Sequence, residues 1–591
     1  MRCFFMHRRI KAILIIFTLL FSLILYRCLD IGVLNQKDFG PQKVNLIERS
    51  VAQRTFQFRI DNGRGKILDR NGKLLSAAYT PKVILFPFLK TINWPIEKLS
   101  QITGVSVTNI KKQFNDKKEP FTLDGIKKTL TSEEIDEINN LHVSGLISML
   151  SQDKDDKQLA EHLIGIAREN KEQYEKQYES DRDYKPKEFG VIGLEAQFED
   201  FLKSDGTSNL MLHVDNLGKP MFGNEVKYAK PSNPFYPVSL STTLDKNLQQ
   251  ILEQTVDQAK LKKGAAVLID VKTNKLLAMV SRPTMDFQNL FSQNDNTATN
   301  YALLASTPGS VFKTVVAAAA IDQGIVKDNQ MFNCNNNLVG KYEDEEKKRK
   351  GNLNFQQSFY ESCNYTFGQL GKQLTLKNKD MFQTYAKKLG LDGPVGWTGS
   401  VYHEASFSQF QNEGKPTYFV GNNLSDKLLN SSIGQQDVKV SPLAVANMMA
   451  TIARGGSPKQ VKVVDSVLYK NGTEMFKFPD QTLADDYLAP DSMEKLRELL
   501  RGVVTDVKGT GSRYASLPYT LAGKSGTAET KVVDGKIVEQ NKWFAGYFPY
   551  DKPRYAFAVV SLNVSNEVTS TSDTVTNLVK SIYNFDKSHT K

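Results

Sequence analysis

GAAVLIDVKTNKLLAMVS, residues 264–281, reads as two apolar strands joined by a turn at Lys272-Thr273-Asn274-Lys275, and the fold can be built outward from it. Just before it, LDKNLQQILEQTVDQAKL (244–261) carries its apolar residues at helical spacing. Near the other end of the chain, KWFAGYFPYDKPRYAFAVVSLNV (542–564) repeats the two-strand pattern around a proline-containing turn, and residues 571–585 read as a closing helix. A sheet assembled from the two ends of one domain, with helices inserted between them, is an α/β (α+β layered) architecture.

The 591 residues exceed what one hydrophobic core usually supports, so two or more domains are expected. A composition 40% hydrophobic and 24% charged is globular and excludes a disordered chain. The net charge of +11 favours anionic surroundings, whether nucleic acid, phospholipid headgroups or an acidic polymer. The N-terminus narrows that choice. Arg2, His7, Arg8, Arg9 and Lys11 precede an apolar run from Ala12 to Tyr26, which Arg27 closes. As a helix the run reaches about 22 Å, and snorkelling by Lys11 and Arg27 extends it towards the roughly 30 Å hydrocarbon core. The basic side is expected in the cytoplasm. Residues 1–11 are then a cytoplasmic tail, 12–29 a single-pass signal-anchor, and the remainder lies outside the cell membrane. A cleaved signal peptide is the alternative, though YRCLDIGVLNQ offers no small-x-small cleavage site.

RGKILDRNGKLL (64–75) reads as strand, turn at Arg70-Asn71-Gly72, and strand. Residues 90–185 are rich in Lys, Asp, Glu and Gln, and TSEEIDEINNL has a helix start at Thr131 or Ser132. No chemistry is evident there, so 30–240 reads as a pedestal. The prolines of KPSNPFYPVSL (230–240) suit an extended boundary segment, after which 241–591 form the second domain. The run YEDEEKKRKG (342–351) reads as a solvated loop. Four cysteines are too few for a disulfide framework. Cys334 and Cys363 are the only plausible external pair, and the sequence leaves open whether they bond.

STPGSVFKTVVAAAA (306–320) carries the chemistry. Pro308 and Gly309 end the preceding segment, Ser310 starts a helix, and the apolar character on every side predicts that the helix is buried. Lys313 is one turn on, so its amine can stand beside the Ser310 hydroxyl. A serine is a weak nucleophile until a base takes its proton, and a lysine in a dry pocket can be that base. Ser-x-x-Lys alone is weak evidence: Ser151/Lys154, Ser492/Lys495 and Ser588/Lys591 also fit, all in polar segments. Two further elements follow in order, Ser362-Cys363-Asn364 and Lys524-Ser525-Gly526-Thr527. A stray Ser561-Leu562-Asn563 shows how common the middle element is alone; the ordered trio is specific to penicillin-binding proteins and serine β-lactamases. Cys363 reads as a buried, inert thiol, and Glu195 as half of a structural ion pair. His7, His142, His162, His213, His403 and His589 have no metal spacing, so neither a metal site nor a Ser-His-Asp hydrolase is supported.

With these motifs the chain resembles the class B penicillin-binding proteins. The resemblance extends over RGKILDRNGKLL (64–75), LAEHLIGI (159–166), GVIGLEAQFEDFL (190–202), SIGQQDVKVSPLAVANMMATIARGG (432–456) and WFAGYFP (543–549). Arg454 departs from the Asn that the family often has before Gly-Gly. The resemblance implies a transpeptidase domain with helices packed on a central antiparallel sheet, an elongated pedestal and a membrane-anchor helix, with no room for the glycosyltransferase domain of class A members. It also implies the roles. Ser310 attacks a D-Ala-D-Ala stem peptide with Lys313 as base, Ser362 relays a proton, and Asn364 holds peptide and Lys313. Lys524, cationic, helps keep Lys313 neutral. Ser525, Gly526 and Thr527 hold the substrate carboxylate, and the N–H groups of Ser310 and Thr527 form the oxyanion hole. β-Lactams would trap Ser310. No cofactor or metal is implied. Expected partners are peptidoglycan stem peptides, β-lactams, the membrane and wall-synthesis proteins such as a glycosyltransferase, with no nucleic acid. A D,D-carboxypeptidase or β-lactamase on the same scaffold, or a catalytically weak scaffold, stays open at this stage.

Overall fold

The computed structural model describes residues 2–589 apart from 76–77, 154–157, 170–171, 173–187, 216–220, 222–226, 231, 288, 291–296, 328, 339–349, 403, 420–425 and 534–535. Most of the charged run at 342–351, with His403, Lys154 and Lys591, falls outside the described residues.

The N-terminal helix Arg2–Leu29 continues into a π-helical turn, Asp30–Leu34. From Met6 to Leu34 it has 29 residues, its most apolar stretch wholly unburied, and is long and apolar enough to cross a bilayer. It starts earlier than the apolar run alone suggests, because the basic residues before Ala12 are also good helix formers.

By packing the chain divides into two units, and neither is one continuous stretch. The first comprises Met1–Gly63, Tyr79–Asp153 and Gly206–Ser232. Its core gathers Val83, Ile84, Leu85, Phe86, Leu99, Ile110 and Ile138. The helix Ser132–Asn139 starts as its sequence indicates. The Thr131 hydroxyl accepts from the Glu134 N–H, and the Glu134 carboxylate accepts from the Thr131 N–H, so two otherwise orphaned donors are satisfied.

The second unit comprises Arg64–Ala78, Lys154–Asp205 and Asn233–Lys591. The stretches around RGKILDRNGKLL and GVIGLEAQFEDFL therefore fold with the residues that follow 233. Ile67–Leu68 pairs in parallel with Ser239–Thr242. The Asp69 carboxylate accepts from the N–H groups of Asn71 and Lys73 and so closes the turn that the sequence indicates. Arg64 is buried and donates to Glu195 and Glu199, both at 2.8 Å, and to the Glu188 carbonyl. The ion pair read for Glu195 is present, as one arm of a buried triad.

The centre of this unit is a five-stranded antiparallel sheet. Helix α1 (Lys246–Gln258) leads into β1 (Gly264–Asp270) and β2 (Leu276–Arg282). After a turn at Gly309–Phe312 come α2 (Lys313–Asp322), α3 (Phe355–Tyr360), α4 (Asn364–Lys377), α5 (Pro442–Arg454) and α6 (Pro490–Thr505). The chain then returns as β3 (Ala522–Val533), β4 (Lys536–Phe548), β5 (Tyr555–Val564) and α7 (Ser570–His589). The strand order is β2-β1-β5-β4-β3, so the two strand pairs read from the ends of the domain meet along β1 and β5. Both faces are covered, which is why these strands are apolar on both sides. Ala266 and Leu268 of β1, with Phe557 and Val559 of β5, pack under α1 and α7. Their sequence neighbours Ala265, Val267, Ala556 and Ala558 point to the opposite face, into the core shared with α2 and α5. Arg454, the departure from the family pattern, ends α5 by donating to the Val271 and Ser457 carbonyls and to Asn274.

Candidate active site

Three segments distant in sequence converge on one edge of this sheet. Ser310 lies in the single 3-10 turn Gly309–Phe312, and α2 begins at Lys313. Every residue of α2 from Lys313 to Ala320 is buried, as its all-round apolar sequence predicts. Ser310 itself is half-buried, while Lys313 has no exposed surface.

The turn is seated against strand β3 by backbone contact. Gly309 has φ +55°, and a Cβ there would stand 2.1 Å from the Thr527 carbonyl oxygen. A Cβ on Gly526 would stand 2.5 Å from the Pro308 carbonyl oxygen. Two glycines, one on each partner, thus allow the Ser310 turn and the Ser525-Gly526-Thr527 segment to touch. From β4 the Trp543 indole donates to the Thr307 carbonyl at 3.0 Å and fixes the approach to the turn. The Gly309 N–H donates to the Gly434 carbonyl at 2.9 Å, which brings in the SIGQQD segment.

The second segment arrives between α3 and α4. Lys313 Nζ lies 2.9 Å from the Ser362 carbonyl oxygen, 3.1 Å from Ser362 Oγ and 2.7 Å from Asn364 Oδ1. Ser362 holds φ +57°, an unfavourable left-handed conformation for a serine. This conformation lets carbonyl and hydroxyl of one residue meet one amine. Cys363, between the two, is bonded to Cys334 with Cα atoms 5.9 Å apart. The expectation of an inert thiol is corrected: the sulfur is buried and already oxidised, and it ties the Ser362 turn to the residue that follows the strand Phe332–Asn333.

The third segment is β3. Lys524 is fully buried, over the Phe359 ring at 5.7 Å, as Lys313 is over Phe367 at 5.6 Å. Burial pushes the Lys524 amine down to about 7, with the Lys350 charge adding to the effect. Its cationic state, assumed from sequence, therefore holds only below about that pH. Burial, then Lys524 and Lys350, push Lys313 well below the usual lysine range. The Ser525 hydroxyl donates to the Thr510 hydroxyl at 2.7 Å, and Thr527 is exposed beside it.

All eight residues singled out by sequence therefore lie on these three converging segments. Sequence reasoning missed Thr510, Lys350 and the two phenylalanine rings, which have no signal in their spacing. Ser362, Asn364 and Lys350 line a cleft of about 1120 Å³ that continues past Glu529 and Thr530 of β3. Of the other serine-lysine pairs, Ser492 donates to Asp322 at 3.2 Å, and Lys154 and Lys591 lie outside the described residues. Ser561, of the stray Ser-x-Asn, is hydrogen-bonded to Ser570 and Thr571.

Known proteins show the family of the chain. The family model described as the penicillin binding protein transpeptidase domain matches residues 264–584, and the penicillin-binding protein dimerisation domain matches 59–234. The peptidoglycan D,D-transpeptidase MrdA of Haemophilus influenzae is 25% identical over 549 residues, covering 85% of this chain and 81% of that one. Penicillin-binding protein 3 of Bacillus subtilis is 23% identical over 538 residues, 86% of this chain and 74% of the relative. Among solved structures, a chain in "Structural coordination of polymerization and crosslinking by a peptidoglycan synthase complex" shares the fold with a TM-score of 0.63 at 21% identity, covering 98% of each chain. Since the transpeptidase model alone matches more than half of the sequence, the chain belongs to the penicillin-binding protein transpeptidase family.

Proposed function

We propose that the protein is a serine-type peptidoglycan D,D-transpeptidase that cross-links stem peptides through an acyl-enzyme on Ser310 and is acylated by β-lactams. The observation that carries the reading is the buried Lys313 amine, one turn after Ser310 and hydrogen-bonded to Ser362 and Asn364. A neutral amine has two N–H groups and one lone pair. The Ser362 carbonyl and Asn364 Oδ1 can only accept, so they take the N–H groups and leave the lone pair for a hydroxyl. Lys313 removes the Ser310 proton as Oγ attacks the carbonyl of the penultimate D-alanine. The N–H groups of Ser310 and Thr527 stabilise the oxyanion, each such donor contributing about 3–4 kcal/mol. The proton then passes from Lys313 through the Ser362 hydroxyl to the departing D-alanine amine. An acceptor amine on a second stem peptide attacks the ester, gives up its proton along the same route and restores the Ser310 hydroxyl. Ser525 and Thr527 hold the terminal carboxylate, with Lys524 supplying positive charge below pH about 7.

The domain assignment follows the same reading: residues 1–11 as a cytoplasmic tail, 12–29 as anchor, 30–240 as pedestal and 241–591 as the extracytoplasmic transpeptidase domain. The similarity to a chain of a peptidoglycan synthase complex supports a glycan-polymerising partner. Labelling with a fluorescent penicillin tests the activity. Wild type should carry a covalent adduct and Ser310→Ala none; an adduct persisting in Ser310→Ala would overturn the assignment. Product analysis with stem peptides then tells transfer to an amine from hydrolysis.

A further inference from the structure

The mechanism leaves the Lys350 amine, beside the site, unused. Lys350 lies before α3 and is half-buried in the wall of the cleft that Ser362 and Asn364 also line. Its ammonium donates to the carbonyl of Glu361, the residue immediately before Ser362. Its backbone is held as firmly: the N–H groups of Lys350 and Gly351 both donate to Asn335 Oδ1 at 2.9 Å, and the Cys334 N–H donates to the Gly351 carbonyl. Cys334 in turn is bonded to Cys363. The Ser362 turn is thus gripped on both sides from one segment, by a disulfide after it and by the Lys350 ammonium before it.

We infer that Lys350 is a positioning residue for acyl transfer, clamping the strained Ser362 turn against Lys313 and adding a positive charge beside the buried amines of Lys313 and Lys524. The inference rests on the transpeptidase reading of the site. Among the described residues, the charged groups around it are Lys313 on α2, Lys524 on β3, Glu361 at the end of α3, and Asp426 and Glu529 farther along the cleft. Three amines that share one low-dielectric region disfavour each other's protonation, and the Lys350 charge acts on both Lys313 and Lys524. With Lys350 charged, the proton leaves the general base at lower pH, so more of the enzyme is competent near neutrality.

Two substitutions in the full-length chain separate charge from hydrogen bond. Lys350→Gln retains an N–H donor for the Glu361 carbonyl and removes the charge; Lys350→Arg retains both. The reading is the second-order rate of acylation by a fluorescent penicillin from about pH 5 to 10, where a limb displaced by one unit means a tenfold loss of rate on that limb. Lys350→Gln should shift both limbs to higher pH, slowing acylation about tenfold on the acid side and raising it above wild type on the alkaline side, because the charge acts on Lys313 and Lys524 alike. Lys350→Arg should keep the wild-type limbs. The gain in alkali shows a folded site. Equal slowing of both variants at every pH, or unmoved limbs in Lys350→Gln, overturns the inference and leaves Lys350 a packing residue. Neither result touches the assignment of Ser310, which stands or falls on the Ser310→Ala adduct.

Discussion

At the scale of the residue, the site depends on how burial divides protons among amines. Lys313 and Lys524 both lose the solvation that stabilises an ammonium, and each is left over an aromatic ring instead of a carboxylate. Lys313 must be neutral to act as base; Lys524 must be charged to attract a carboxylate. Acylation should therefore rise with pH as Lys313 deprotonates and fall again above about 7 as Lys524 does, a bell-shaped profile readable by stopped-flow labelling. Lys524→Arg, charged throughout this range, should remove the alkaline limb; a limb that persists would place the second titration on another group. Ser310, Lys313, Ser362, Asn364 and Lys524 were all legible as spaced motifs, because catalytic chemistry restricts residue type. The left-handed backbone at Ser362 was not, since serine adopts that conformation only where surrounding contacts impose it.

At the scale of the element, α2 was legible as a buried helix because it is apolar all round, and the four strands β1, β2, β4 and β5 because their apolar runs are bounded by turn residues. Strand β3 was quoted only for its motif, since GKSGTAET has no period of two in hydrophobicity. It is a strand because β4 supplies its hydrogen-bonding partner along the length from Ala522 to Val533. The contact of β3 with the Ser310 turn is backbone on backbone, so it tolerates no side chain at two glycines. Gly309→Ala should push the turn off Thr527, misplace the oxyanion donors and reduce acylation about a hundredfold or more, measured as rate of penicillin labelling. Thr131→Ala provides the contrast. It removes a helix cap in the other packing unit and should lower stability by about 1 kcal/mol in chemical unfolding, with labelling unchanged.

At the scale of the whole molecule, the order of the chain is not the order of its packing. Arg64, Glu195 and Glu199 come from segments well before the catalytic domain in sequence, yet they form a buried triad inside the unit that carries the active site. Arg64→Met would leave two buried carboxylates without a counter-charge. It should destabilise that unit by about 3–5 kcal/mol in thermal or chemical unfolding, while the protein that remains folded still forms the Ser310 adduct. A loss below 1 kcal/mol would mean the triad is solvated in solution. The amino-acid sequence by itself determined the apolar N-terminal helix, the strands at both ends of the transpeptidase domain and which residues are proposed to react, because hydropathy period and functional-group chemistry are local properties. Only the tertiary structure decided that Cys363 is a disulfide partner and that Lys350 stands near the buried amines of Lys313 and Lys524. It alone also decided that residues 64–78 and 154–205 fold with the C-terminal part of the chain. Pairing of sulfurs, burial of charge and sharing of a core each depend on distances between residues that sequence spacing does not encode.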